Sequence, residues 1–196
     1  PYKTNIESEP FAGMKTLKHL IFGSSVNKIE KTNFKSIGQL TKITIPNTVT
    51  SIEKNSFYGL KSLEEIIIPE TLEIIDDSAF EGCSSLNDIT FPSSVKSIGK
   101  NAFANCQSFV TLTIPSTVQR IGNNSFNNCS NIKEITIDPY LTKIETDTFS
   151  ECNSLHHLIF GQTVTKIEEN IFNNIGRLTK TTIPEAVTSI GKNSFM

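Results

Sequence analysis

The chain has no tryptophan, only two methionines and almost no excess charge, and these absences exclude several classes of protein. Its 196 residues carry 18 Lys and Arg against 20 Asp and Glu, a formal charge of −2. A chain so close to neutral has no basic field that attracts nucleic acid, so we expect no nucleic-acid partner. No apolar run reaches the roughly 20 residues that a membrane-spanning helix needs, and we expect no direct membrane insertion. The start, PYKTNIESEPF, has neither Met nor a signal-type apolar stretch, so we expect a segment of a longer protein.

Phenylalanine, in contrast, recurs with strict regularity. It stands every 23 residues, at Phe11, Phe34, Phe57, Phe80, Phe103, Phe126, Phe149, Phe172 and Phe195. We number each repeat from this Phe as position 0. Positions 6, 9, 11, 15 and 18 are then apolar in nearly every repeat, with Thr181 the exception at position 9. Such a period indicates stacked units that each cover the apolar face of a neighbour. We predict one solenoid domain over 1–196, with eight 23-residue repeats (11–194) and partial repeats at both ends.

Local periodicity predicts what each repeat folds into. Positions 9 and 11 are apolar while positions 8 and 10 vary, which indicates a short strand with alternate residues facing inward. Proline at position 12 of five repeats ends this strand, and the V-x-x-I of positions 15 to 18 suggests a second extended segment. Asn, Ser or Thr at position 21 suits a helix start, and Gly or Asn at position 2 suits a helix end. We therefore predict about one helical turn between them.

The repeat pattern is similar to a known family. LNDITFPSSVKSIGKNAF, residues 86–103, carries L-x-x-I-x-I-P-x-x-V-x-x-I-G-x-x-A-F almost whole, and resembles the BspA-like class of leucine-rich repeats. This resemblance covers residues 6 to 196. It implies an α/β repeat solenoid: a right-handed curved array with a parallel sheet on its concave side, and short extended segments and one-turn helices on the other sides. For the family it also implies surface or secreted proteins linked to adhesion, and it carries no catalytic residues.

The residue types that could carry chemistry are placed where a core explains them better. Cys83, Cys106, Cys129 and Cys152 all occupy position 3, where other repeats have Met, Ile or Leu, so we predict buried free thiols. Neighbouring repeats are close enough for a disulfide, but parallel side-chain directions oppose one. His157 at position 8 has Glu134 and Lys180 as its expected neighbours in the sheet. No Ser or Cys meets a base and an acid, so we expect no enzyme and no cofactor or metal site.

The leading hypothesis is a non-enzymatic interaction module that binds a protein through its concave sheet. Position 8 runs acidic in the centre with basic ends, and Glu64 adds to the acidic centre. A complementary partner would carry a basic patch. The residues predicted to bind it are Lys42, Glu64, Glu65, Asp88, Thr111, Glu134 and His157.

Two other interpretations remain open at this point. An intracellular scaffold that docks a signalling protein would use the same solenoid in the cytoplasm, whereas an adhesin would act at the cell surface or outside the cell. A structural spacer would leave the sheet face free to vary. Because no polar capping repeat is visible at either end, end-to-end self-association is a further possibility.

Overall fold

The computed structural model describes residues 14–29, 34, 37–137, 143–162, 164–176 and 178–195. Within them the chain forms short strands, and most repeats contribute two. The first strands, at positions 8 to 11, are β1 (His19–Ile21), β2 (Lys42–Thr44), β4 (Glu65–Ile67), β7 (Thr111–Ile114), β9 (Glu134–Ile137), β11 (His157–Phe160) and β13 (Lys180–Thr182). The second strands are β3 (Ser51–Ile52), β5 (Ile74–Ile75), β6 (Ser97–Ile98), β8 (Arg120–Ile121), β10 (Lys143–Ile144), β12 (Lys166–Ile167) and β14 (Ser189–Ile190).

The first strands pair in parallel and form what we call the first ladder. Each residue faces the residue one repeat away, so that His157 lies opposite Glu134 on one side and Lys180 on the other. The second strands form a second ladder, in the orders β10-β8-β6-β5-β3 and β12-β14. The predicted parallel-sheet solenoid is thus confirmed.

The first ladder is interrupted in the middle of the solenoid. β1, β2 and β4 form one sheet, and β7, β9, β11 and β13 form another. Residues 88–91, which lie between them, form no strand. Ile89 and Phe91 are nevertheless only 8% exposed, and the second ladder runs on through β5, β6 and β8 without a gap. Apolar packing and the second ladder therefore hold this repeat in register.

The core contains a continuous column of phenylalanine rings. Each position-0 ring from Phe34 to Phe195 stacks on the next, with centroids 5.1 to 5.5 Å apart. Phe103 is fully buried, and Phe91 packs against it edge to face with the ring centroids 5.6 Å apart. Offset stacks and edge contacts are the arrangements that aromatic rings favour. The 23-residue period exists because each Phe occupies the same place in this column.

The predicted one-turn helices are wrong, and no α-helix occurs among the residues that the structure describes. The segment from position 20 to position 3 is a series of tight turns. Alternate N–H groups donate within the repeat, as Ala102 and Ala104 do to Gly99 and Asn101. The N–H groups between them donate to the next repeat, as Phe103 does to Ser125 at 2.7 Å. Half of the donors that a helix needs are therefore used to join repeats, and we call these bonds the turn ladder.

The backbone conformation at position 21 explains this difference. Its φ is positive, between 53° and 59°, at Asn55, Ser78, Asn101, Asn124, Asp147, Asn170 and Asn193. A helix N-cap residue has an extended conformation instead. Asn tolerates the left-handed conformation as well as it caps a helix, so the residue type alone did not distinguish the two. Position 2 is left-handed as predicted, from Gly59 to Asn174.

Candidate functional site

The outer face of the first ladder is formed by positions 8 and 10 of each repeat. In β4, Glu65 and Ile67 are exposed, whereas Ile66 between them is buried. β7 alternates in the same way, with Thr111 exposed and Leu112 buried. Strand geometry therefore places the variable residues on the surface and the constant ones in the core.

The first half of this face brings three of the predicted residues together. Lys42 and Glu65 are opposite each other in β2 and β4, and Lys42 Nζ lies 2.7 Å from Glu65 Oε1. Glu64 precedes β4 and is exposed, and its N–H donates to the Thr41 carbonyl at 2.8 Å. The ion pair was not predicted, although opposite charges 23 residues apart at one repeat position are a usable signal for it.

The second half of the face brings three others together. Thr111, Glu134 and His157 follow one another across β7, β9 and β11. His157 Nδ1 lies 2.6 Å from Glu134 Oε2, and the His157 side chain is 26% exposed. The predicted pairing of a surface histidine with a carboxylate is confirmed.

Asp88 lies between these two halves, in the repeat that forms no strand. It is exposed, and the N–H of the preceding Asn87 donates to the Glu64 carbonyl at 3.3 Å. In an unbroken ladder Asp88 and Glu65 would be directly opposite, and like charges in that relation destabilise a strand pair. The acidic centre of the face therefore coincides with the interruption of the ladder.

Exposed isoleucines also lie on the outer face, although none of them was among the residues predicted to bind a partner. At position 10, Ile21 is 66% exposed, Ile67 43% and Ile159 37%. Each lies two residues along the strand from a charged or ionisable side chain at position 8. The face thus offers apolar contact beside charge, a combination that protein interfaces use.

The four cysteines are free and fully buried, as predicted. Each thiol donates to the carbonyl of a position-0 Phe, and Cys106 Sγ lies 3.2 Å from the Phe80 oxygen. Burial raises the pKa of Cys83 and of Cys152 to about 12. Thiols held in this way are neutral at physiological pH, and only the thiolate is a strong nucleophile or metal ligand.

In the part of the chain that the structure describes, no three His, Cys, Asp or Glu side chains are grouped so that they could hold a metal ion. None of the described residues forms a helix long and apolar enough to cross a membrane.

The fold has clear structural relatives. A leucine rich repeat protein of Eubacterium ventriosum superimposes with a TM-score of 0.74 at 22% identity, over 91% of this chain and 58% of its own. The T. pallidum leucine rich repeat protein TpLRR gives a TM-score of 0.60 at 24% identity, over 89% of this chain and 67% of its own. The pneumococcal vaccine antigen PcpA gives 0.50 at 19% identity, over 95% of this chain and 71% of its own. At these identities the likeness concerns the fold alone.

The chain therefore spans little more than half of the Eubacterium protein. A comparison with curated protein sequences finds no significant match. The family model for the BspA type leucine rich repeat region, which holds six repeat copies, matches residues 2–110 and 73–196. These two matches together cover almost the whole chain, and the protein belongs to the BspA type leucine rich repeat family.

Proposed function

We propose that the chain is a non-enzymatic protein-interaction module of a cell-surface or secreted protein, and that it binds its partner through the outer face of the first ladder. The observation that carries this proposal is the contrast between the two sides of the strands. Inward positions repeat almost unchanged, whereas position 8 changes from Lys42 to Glu65, Asp88 and Thr111. Packing does not require this variation, so the outer face is free to be shaped by a ligand.

The family and its structural relatives support the proposal at a coarser level. BspA type repeats are structural or interaction modules, and one relative, PcpA, is a pneumococcal vaccine antigen. The description of PcpA as a vaccine antigen supports a surface location for this protein too, where it would meet other cells. The adhesive role and the surface location belong to the proposal.

The charges of the face indicate the kind of partner. Glu64 and Asp88 are exposed acids at the centre, and Glu65 beside them forms an ion pair with Lys42. A partner with a basic patch over this centre would be attracted and oriented by it. Lys42 and His157 lie on either side of the centre and would limit how far that basic patch extends.

Charge reversal at the centre tests the proposal. The protein would be immobilised, proteins retained from a host-cell surface extract identified, and each one titrated against the purified protein. Replacement of Glu64, Glu65 and Asp88 by Lys should weaken binding by more than about tenfold, since like charges facing each other across an interface cost several kcal/mol. A control with Lys at Glu70, Glu169 and Glu185, which are exposed elsewhere, carries the same charge change and should bind normally. Equal affinity of both variants would refute the outer face as the binding surface.

A further inference from the structure

The solenoid contains a second, longer repeat in addition to the 23-residue one. LKHLIFGSSVNKIEKTNFKSIGQLTKITIPNTVTSIEKNSF, residues 17–57, aligns without gaps with LHHLIFGQTVTKIEENIFNNIGRLTKTTIPEAVTSIGKNSF, residues 155–195. The two segments are six repeats apart, and 27 of their 41 positions are identical. The two repeats at the start of the chain therefore have near copies at its end.

The differences between the copies are not evenly distributed. The loop after the first strand has changed at every residue of positions 13 and 14, for example Asn47 to Glu185 and Thr48 to Ala186. The residues on either side of Phe34 have also changed in the copy around Phe172. In contrast, all four side chains on the outer face of the first ladder are the same in both copies.

These four residues form a compact group that we call a tile. The first tile consists of His19, Ile21, Lys42 and Thr44 on β1 and β2, and the second of His157, Ile159, Lys180 and Thr182 on β11 and β13. In each tile His is opposite Lys, and Ile is opposite Thr. Each tile therefore has a polar row of His and Lys and, two residues further along the strands, a second row of Ile and Thr.

Packing does not explain why the tiles are identical. Their members face outward, with Ile21 66% and Ile159 37% exposed. At position 8 the repeats between them hold other residues, including Glu65, Thr111 and Glu134, on the same type of strand, whereas position 10 is Ile or Thr in every repeat. The backbone thus accepts several side chains at position 8, and yet the two end tiles have both kept His and Lys there.

The surroundings of the two tiles differ, which shows where the shared unit ends. Glu65 binds Lys42 from the C-terminal side of the first tile, at 2.7 Å. Glu134 binds His157 from the N-terminal side of the second tile, at 2.6 Å. Contacts of this kind between partly exposed polar side chains are weak, so a carboxylate arriving from a partner can compete for the His and Lys of either tile.

We propose that the two tiles are two copies of one binding site, and that each takes an extended protein segment with an acidic residue followed, two residues later, by an apolar one. The acidic side chain accepts hydrogen bonds from the Lys ammonium and the imidazole, and the apolar side chain packs on Ile21 or Ile159. Residues two apart on an extended segment point the same way, as do positions 8 and 10 of the ladder. This inference rests on the outer face being a binding surface and adds what the ends of that face bind.

The two sites are held at a fixed separation. Six repeats at about 4.8 Å per strand place them roughly 29 Å apart. A partner that presents the segment twice at this distance, or two partners side by side, would gain affinity because the second contact is intramolecular. The acidic centre between the tiles has the opposite charge preference, because it attracts basic groups.

A peptide selection tests the inference. Peptides are selected from a random display library on the wild-type protein, and those that also bind a Lys42→Glu, Lys180→Glu double variant are removed by counter-selection. Lys42→Glu places a carboxylate opposite Glu65, and like charges in that relation destabilise a strand pair. A Lys42→Gln, Lys180→Gln double variant, which creates no like-charge pair, is therefore used for counter-selection in parallel and should give the same peptides, and circular dichroism checks that every variant is folded. We expect acidic-x-apolar peptides, two of which bind each wild-type molecule in calorimetry. Either single variant should bind one peptide with unchanged affinity. The matched control is Lys54→Glu with Lys192→Glu, an equally duplicated lysine pair in the turn segments, and should still bind two.

Other outcomes separate this inference from the proposed function. Selected peptides that bind with a stoichiometry of one, or that are sensitive to Lys42→Glu but not to Lys180→Glu, would refute two equivalent sites while leaving the outer face as a binding surface. A selection that yields no peptide after counter-selection would refute the tiles as sites. The reversal of Glu64, Glu65 and Asp88 described above tests the face itself independently.

Discussion

At the scale of single residues, burial determines what the thiols can do. Cys83 and Cys152 occupy the same repeat position, and each donates a hydrogen bond to a Phe carbonyl. Removal from water disfavours the charged thiolate, and this raises the pKa of Cys106 and Cys129 well above the ordinary value as well. The cysteines thus act as compact apolar side chains, and their chemistry becomes visible only at high pH.

These raised pKa values predict a loss of stability in alkali. Between about pH 9 and about pH 12 the folded protein keeps the proton on Cys83, whereas the unfolded chain releases it. The stabilising contribution is therefore complete below pH 9 and is lost as the pH rises towards 12. Each such thiol should steepen the fall of the unfolding free energy by up to about 1.4 kcal/mol per pH unit.

Urea unfolding at about pH 8 and about pH 10.5 would measure this effect. Cys83→Ala lowers stability at both pH values because it leaves a small cavity, but it should lose less between them than the wild type. Other titrating groups are common to both proteins, so the difference isolates one thiol. Equal losses in the two proteins would contradict the expected ionisation.

At the scale of structural elements, the turn segments carry the conformational demand of the fold. Position 21 must adopt a left-handed conformation so that its N–H can reach the next repeat, as Asn101 N–H reaches the Asn123 carbonyl at 3.0 Å. Asn meets this demand at most repeats, and Ser78 and Asp147 meet it elsewhere. Large β-branched side chains are poorly suited to this conformation.

Substitution at Asn101 should reveal this demand. Asn101→Val is expected to lower the free energy of unfolding by about 1–2 kcal/mol, the usual cost of a left-handed conformation for an ordinary L-residue. Asn101→Gly, which adopts positive φ readily, should stay close to the wild type. Thermal and urea unfolding of the three proteins would decide, and a stable Val variant would indicate that the turn can adopt another conformation.

The elements also show what could be predicted from sequence. The strands at positions 8 to 11 were predictable because inward and outward residues alternate, and Phe103 was predictable as a core residue because it belongs to a period. The helical turn was not, since Asn101 suits both a helix cap and a left-handed turn. The interruption at 88–91 was not either, because Ile89 and Phe91 follow the inward pattern and remain buried. The sequence of residues 88–91 therefore predicts their burial correctly but gives no sign that their strand hydrogen bonds are absent.

The candidate site was predictable only in part. Repeat numbering places Glu134 next to His157, and the structure confirms that contact. The same numbering placed Lys42 beside Glu65 without identifying an ion pair, because a surface pair depends on side-chain rotamers as well as on register. The use of Lys42, Glu64, Glu65, Asp88, Thr111, Glu134 and His157 to bind a protein stays a prediction, since outward residues carry no packing signal.

At the scale of the whole molecule, stability is shared between neighbouring repeats, and whole repeats should be removable. Deletion of residues 104–126 joins Phe103 to Asn127 and preserves the 23-residue spacing to Phe149. We expect this shortened protein to fold with a parallel-sheet spectrum, because each remaining repeat still covers its neighbour.

Deletion of one residue fewer, 105–126, provides the control. It leaves an extra residue at the junction, so the inward and outward faces of the following strand exchange, and this exposes a hydrophobic set. We expect aggregation or loss of cooperative unfolding in circular dichroism and size-exclusion chromatography. If the shorter deletion folded as well as the complete one, the repeat register would not be what holds the solenoid together.

The interruption of the first ladder also has a mechanical consequence. Hydrogen bonds between repeats run along the solenoid axis, so a pull along that axis loads them directly. Where β7 meets β9, the first ladder, the second ladder and the turn ladder all cross the junction. Next to residues 88–91 the strand pairing of the first ladder is missing, and the other two ladders bear the tension. For a protein held by its two ends under flow, a weak junction is thus built into the middle of the molecule, between its two tiles, and the gap in the second ladder between β10 and β12 adds another.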